Sequence, residues 1–212
     1  MAEFRMHISM SLDGCVAGPE QTLLDPIGRG GERLHDWLVP LAFFKEMHGQ
    51  DGGEVNESDA VAREMFANIG ATVMGRNMFG PVRGEWRTDA PWDGWWGRKP
   101  PFGHPVYVLT HHPRPNLELD GTTFHFITSG FESALMQAMR AAGGRDVMIA
   151  GGASVVRQGF LSKMIDVIDI HLVPIFLGDG ERIFDGEADL RGFRHVRTIA
   201  APGVTHFSFV RE

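Results

Sequence analysis

Apolar and polar positions alternate from residue 4: Phe4, Met6, Ile8 and Met10 stand against Arg5, His7 and Ser9. A period of two predicts an opening strand over 4–10. Ser11-Leu12-Asp13-Gly14 ends it with turn chemistry, and the Gly, Pro and Asp content of 20–31 predicts an excursion. Leu34, Trp37, Leu38 and Leu41 stand at helical spacing and predict a short helix over 32–41. The clearest helix opens at Asn56, a good N-cap, with Glu57 and Asp59 complementing the positive end of the helix dipole. Val61, Met65 and Ile69 repeat every fourth residue, Ala62 and Phe66 widen the stripe, and Gly70 is expected to stop it.

Short apolar runs then predict buried strands over 71–74, 106–110, 123–127 and 146–150, with a longer one over 165–173. A helix is expected over 131–142, with Ala134, Leu135, Ala138 and Met139 on its apolar side, and another shortly after Gly151-Gly152, carrying Val155, Val156 and Phe160. Alternating strands over 193–200 and 204–210, joined by Ala201-Pro202-Gly203, read as a hairpin. Residues 81–105 have no regular period and carry Trp86, Trp92, Trp95 and Trp96 among prolines and glycines; segments of this kind are often functional. Helices alternate with strands until about 165, and the end is antiparallel. The fold class is therefore α/β: a mixed, mostly parallel central sheet flanked by helices, with an antiparallel C-terminal hairpin.

At 212 residues, 43% hydrophobic and 22% charged, the chain is expected to form one globular domain spanning 1–212. A net charge of −7 disfavours a nucleic-acid backbone as the main partner. Cys15 is the only cysteine, which excludes an intrachain disulfide or a thiolate zinc cluster and suits a reducing compartment. The first residues lack a basic segment followed by an apolar run, and no apolar run reaches membrane-spanning length. A cytoplasmic protein with no membrane partner is expected.

Three strand ends carry candidate chemistry: Gly75-Arg76-Asn77, Thr110-His111-His112 and Gly151-Gly152-Ala153-Ser154. In an open α/β sheet such ends converge on one crevice. A strand, a double glycine and a helix start present free N–H groups to a phosphate, although an ordinary tight turn has the same sequence. Arg76 could grip a phosphate through its planar fork, or be a solvated arginine after a strand. His111-His112 has no third ligand at useful spacing, so no metal is expected.

Val-Met-Gly-Arg-Asn-Met-Phe at 73–79, Val-Leu-Thr at 108–110, Ile-Ala-Gly-Gly-Ala at 149–153 and Ser-Leu-Asp-Gly at 11–14 occur in family order. On these motifs the chain resembles the dihydrofolate reductase superfamily, and within it the riboflavin-biosynthesis branch, whose reductase domain follows a pyrimidine deaminase. The resemblance runs from about residue 4 to 211. It implies a dihydrofolate-reductase-like fold and NADPH as hydride donor. Arg76 would face the adenosine 2′-phosphate, with Gly75 and Asn77 in the neighbouring phosphate region and Thr110 and His111 along the adenosine half. Gly151, Gly152, Ala153, Ser154 and Val155 would meet the pyrophosphate and the nicotinamide ribose. Two departures stand out: Met78 replaces a hydroxyl residue, and Ala153 a third glycine.

The resemblance also offers catalytic candidates. Asp59 falls where folate reductases carry a pocket carboxylate, with helix-start electrostatics as the alternative; Asp13 would lie on the substrate side, with a turn-forming role as its alternative. Trp92, Trp95 and Trp96 would stand over the cleft mouth as a lid or stacking surface, or bury their own indoles. The implied activity is nearest to 5-amino-6-(5-phosphoribosylamino)uracil reductase, acting on a small heteroaromatic or sugar-linked substrate, and a homodimer is expected. A pterin or folate reductase and a non-catalytic nucleotide- or drug-binding protein remain alternatives. The deaminase zinc signature needs two cysteines, so that activity is excluded.

Overall fold

The computed structural model describes residues 2–80, 84–89, 91–184 and 190–212. Its centre is a parallel core of β1 (Phe4–Ser11), β3 (Ile69–Gly75), β4 (Val106–Leu109), β6 (Thr122–Ile127), β7 (Asp146–Gly151) and β8 (Val167–Val173). Antiparallel β11 (Val204–Arg211) and β10 (Phe193–Ala201) extend one side, and the short β5 (Leu117–Leu119) closes the other. The nine-stranded order is β10-β11-β8-β1-β7-β3-β4-β6-β5. β2 (Cys15–Ala17) and β9 (Glu181–Arg182) pair separately as a small antiparallel ribbon. This is the mixed, mostly parallel sheet with a reversed tail expected from the sequence.

Alternation in β1 divides the molecule. Phe4, Met6, Ile8 and Met10 join the core under α4 (Phe131–Ala142) and α5 (Ala153–Ser162), with Leu135, Ile149 and Ile168. The opposite face is covered by residues 31–41, α1 (Ala42–Met47) and α2 (Glu57–Phe66), where Leu34, Trp37, Leu41, Val61 and Met65 pack together. Beneath them His7, Ser9, Asp169, His171, His206 and Ser208 form a buried polar strip. The His171 and His206 Nδ1 atoms are 2.8 Å apart, so one must carry the shared proton, and Ser58 Oγ meets His206 Nε2 at 3.0 Å. Burial opposes charge on Asp169, but hydrogen bonds from His7 and Ser208 hold its pKa at about 2.

Some local expectations change. The helix over 32–41 is instead a 3-10 helix, Gly31–His35, followed by turns; Asp36, Leu38 and Leu41 N–H groups reach back three residues, and Pro40 has none to offer. Leu34, Trp37 and Leu41 are buried all the same. α2 begins as expected, with Asn56 Oδ1 accepting from Asp59 N–H at 3.1 Å, but ends at Phe66. Gly70 does not stop it: the glycine lies inside β3, where a Cβ would stand 2.6 Å from Ala142 O, while Asn68 makes the left-handed turn at φ 60°. The period gave no warning of α1, β2, β5 or β9, all short. β10 carries a register shift between His195 and Arg197. Among the described residues, no helix is long and apolar enough to cross a membrane.

Candidate functional site

The C-terminal ends of β1, β7, β3 and β4 open into a cavity of about 690 Å³. Its wall takes Ile8 from β1, Ala150 and Gly151 from β7, Gly75 from β3, Leu109 from β4 and Thr110 just beyond. Gly75, Arg76, Asn77, Thr110, His111, Gly151, Gly152, Ala153, Ser154 and Val155 all line it. Close packing of two turns explains one glycine: a Cβ on Gly75 would come within 3.0 Å of Val155 Cγ2 and 3.3 Å of Gly152 N. Gly151 sits at φ 125°, a region closed to most side chains, and its peptide bond to Gly152 is cis. Gly152 caps α5, so the first amides of that helix, lacking intrahelical acceptors, point toward the cavity end of the element.

Arg76 opens the short α3 (Arg76–Phe79), and its guanidinium carbon lies 3.7 Å from the centre of the Trp86 ring. Trp86 is held by donation from Nε1 to His112 O at 2.7 Å. His112 is placed in turn by Thr110, whose Oγ1 accepts its N–H at 3.1 Å. The cation is thus positioned by a chain leading back to the end of β4.

Asp13 and Asp59 stand outside the cavity wall. Asp13 accepts from Ser11 Oγ at 2.6 Å, Leu177 N–H at 3.2 Å and Gly178 N–H at 2.7 Å; the Ser11 bond leads in lowering its pKa to about 2. The carboxylate ties the first turn to the loop after β8. Asp59 is 2% exposed and accepts from Phe43 N–H at 2.7 Å and Arg63 Nε at 2.9 Å, so it ties α2 to the start of α1. Local hydrogen-bond donors thus occupy both groups, as the helix-start reading of Asp59 and the turn-forming reading of Asp13 anticipate. Of the tryptophans, Trp95 and Trp96 line the cavity. Trp92 does not: its Nε1 donates to Phe79 O at 2.8 Å, and its ring meets Trp95 edge-on at 4.5 Å.

Other lining residues were missed in the sequence: Val16 and Ala17 of β2, Gln21, Ile27, His35, Gln158 and Glu181. Val16, Ala17, Gln21, Ile27 and Glu181 come from the excursion and the small ribbon, which carry no period to read, while His35 and Gln158 are polar positions on the 3-10 helix and on α5. Burial depresses the His35 pKa, opposed in part by Asp36, so this imidazole faces the cavity neutral at pH 7. Its buried Nδ1 has no hydrogen-bond partner among the described residues.

The model of the RibD C-terminal domain matches residues 3–205. The chain belongs to the RibD C-terminal domain family. Solved structures with the same fold include a putative riboflavin biosynthesis protein from Shewanella sp. PV-4, 18% identical, with 99% of each chain covered and a TM-score of 0.61. A diaminohydroxyphosphoribosylaminopyrimidine deaminase/5-amino-6-(5-phosphoribosylamino)uracil reductase from Thermotoga maritima is 14% identical at a TM-score of 0.57; all of this chain matches 57% of that one. Dihydrofolate reductase from Enterococcus faecalis, complexed with NADP(H) and RAB-propyl, is 14% identical over 99% of this chain and 96% of its own, with a TM-score of 0.52. A search of curated protein sequences finds no match. This RibD C-terminal domain thus has the dihydrofolate-reductase-like fold and the family character of a riboflavin-biosynthesis reductase.

Proposed function

We propose that the protein is an NADPH-dependent reductase of a small heteroaromatic or sugar-linked acceptor, working as a homodimer. The observation that carries this reading is the meeting of Arg76, the Gly151-Gly152 turn and the start of α5 in one cavity. The donor set suits a phosphorylated dinucleotide. Arg76 supplies a fixed cation for a phosphate monoester, the α5 amides and Ser154 hydroxyl supply donors for a pyrophosphate, and a Cβ on Gly152 would meet nothing within 4 Å, leaving room for close approach. When bound, NADPH supplies the hydride.

The chain's own residues would bind and orient the reactants. Trp95 and Trp96 would exclude water from the cavity, and the neutral imidazole of His35, which lines it, would orient the acceptor. The pterin or folate alternative rested on a carboxylate at Asp59, whose engagement with Phe43 and Arg63 removes that support. The dimer proposal rests on the family character and on the free edge of the β10–β11 hairpin.

Calorimetric titration with NADPH and NADH tests the cofactor, with tighter binding of NADPH expected. Binding of neither would refute the reductase. Light scattering giving a mass near the 23.5 kDa monomer would refute the dimer.

A further inference from the structure

The indole of Trp86 carries two guanidiniums. Arg76, at the end of β3, has its guanidinium carbon 3.7 Å from the ring centre, and that of Arg114, just past β4, lies 4.8 Å from the same point. The two cations can be no farther apart than the sum of those distances. That is inside the Debye length of about 10 Å at about 0.1 M salt, so each feels the other's field.

Arg114 is fixed from several sides. Its guanidinium also lies over the Phe126 ring at 4.6 Å and the Phe79 ring at 5.9 Å. Nη1 donates to Trp92 O at 2.8 Å, and Nη2 stands 3.6 Å from Asp93 Oδ1. The arginine side chain is 16% exposed and that of Asp93 57%. A largely buried cation keeps more of its field than one in open water, and a solvated carboxylate cancels only part of it.

This second cation bears on what a phosphate must do at Arg76. The Arg76 nitrogens are buried, so an anion that reaches them displaces groups packed over the cation, the Trp86 ring among them. An indole that leaves one cation loses its cation–π attraction unless another stands on the same ring. Arg114 keeps that attraction while Arg76 turns to the anion. It also adds positive charge near the incoming phosphate monoester, which brings nearly two negative charges. The repulsion between the two guanidiniums is relieved at the same moment.

Resting on the reductase reading above, we propose that Arg114 determines cofactor specificity as a positioning residue: it sets the preference for NADPH over NADH by holding Trp86 beside Arg76 and by its own charge. Arg114 does not line the cavity, so it acts through the indole and through space rather than by touching the 2′-phosphate.

Calorimetric titration of NADPH and NADH into the full chain reads the ratio of the two dissociation constants. Arg114→Met should lower the NADPH preference about three- to tenfold, with NADH affinity nearly unchanged. Arg114→Lys keeps the charge without the planar fork and should restore most of the preference. Asp93→Asn should raise it about twofold or more, because the opposing charge is removed from an exposed position. About 0.5 M salt should shrink the difference between wild type and Arg114→Met. A packing role alone predicts equal losses for both cofactors, no rescue by lysine and no effect of Asp93→Asn; any of these results overturns the proposal. Should Arg114→Met fail to fold, Asp93→Asn still decides. Binding of neither cofactor by the wild type refutes the reductase reading and this proposal with it. A wild-type preference for NADPH that neither variant shifts refutes the proposal alone.

Discussion

The guanidinium of Arg76 stacks on the indole of Trp86 at 3.7 Å, so a cation at the end of β3 is held by a ring from the tryptophan-rich segment. All three guanidinium nitrogens are covered, so a phosphate reaching them would have to displace the groups packed over the cation. Arg76→Ala should weaken NADPH roughly 10- to 100-fold, from the 1.5–3 kcal/mol of a charge-assisted hydrogen bond, and NADH far less. Trp86→Leu should give a smaller loss with the same cofactor bias. Calorimetry on both variants checks this, and equal losses for the two cofactors would move Arg76 away from the 2′-phosphate.

The two aspartates should behave as structural groups. Asp13→Ala removes bonds to Ser11 Oγ and to the Leu177 and Gly178 amides, and should cost about 1–3 kcal/mol of stability while changing NADPH affinity little. Urea unfolding alongside a cofactor titration separates the two effects. A variant of native stability that has lost turnover would return Asp13 to the chemistry.

Stability should fall in acid through the histidine strip. Burial, with Arg197 adding to it, lowers the His206 pKa to about 4, and burial also lowers that of His171. The unfolded chain takes up these protons near pH 6.5 and the folded chain does not, so stability is full above about 6.5 and drains away as pH falls toward 4. His206 alone accounts for something on the order of 2–3 kcal/mol. His104, also lowered to about 4, acts in the same window, and Asp169, at about 2, adds a loss only below about 3.8. Urea midpoints at several pH values should show the slope, and His206→Gln should flatten it. Equal midpoints at pH 7 and 4.5 would contradict this account.

Trp92 and Trp95 should separate by role. Trp92→Ala removes the bond to Phe79 O and the filling against Gly80, and should cost about 2–3 kcal/mol with little direct effect on ligand binding. Trp95→Ala should leave the fold near native stability yet impair cofactor or acceptor binding, and NADPH should change the fluorescence of the wild type more than that of this variant. An unaltered ligand response in Trp95→Ala would reduce that indole to packing.

The parts of the fold legible in advance are those where burial imposes a period. The stripes of α2 and α4 and the short runs of β4 and β7 each face a core that admits one arrangement. Asn56 and the Gly151-Gly152 turn were readable because their backbone chemistry is local. Asp59 was not: its partner Phe43 N–H belongs to a helix of six residues, too short to show a stripe. The β1 end of the cavity escaped for a related reason. Val16, Gln21, His35 and Glu181 are gathered by the β2–β9 ribbon, a pairing across more than 160 positions that no local pattern encodes.

The register shift between His195 and Arg197 has a bearing on assembly stoichiometry. β10 is the long outer margin of the sheet, and a regular margin of that kind would template one copy after another into an open-ended ribbon. The bulge breaks the ladder part-way, and the exposed Arg194 adds charge on that margin. At the other margin β5 offers only Leu117–Leu119. Both rims disfavour open-ended strand addition, so the proposed dimer, if built on the hairpin, would close as a pair rather than extend as a fibre.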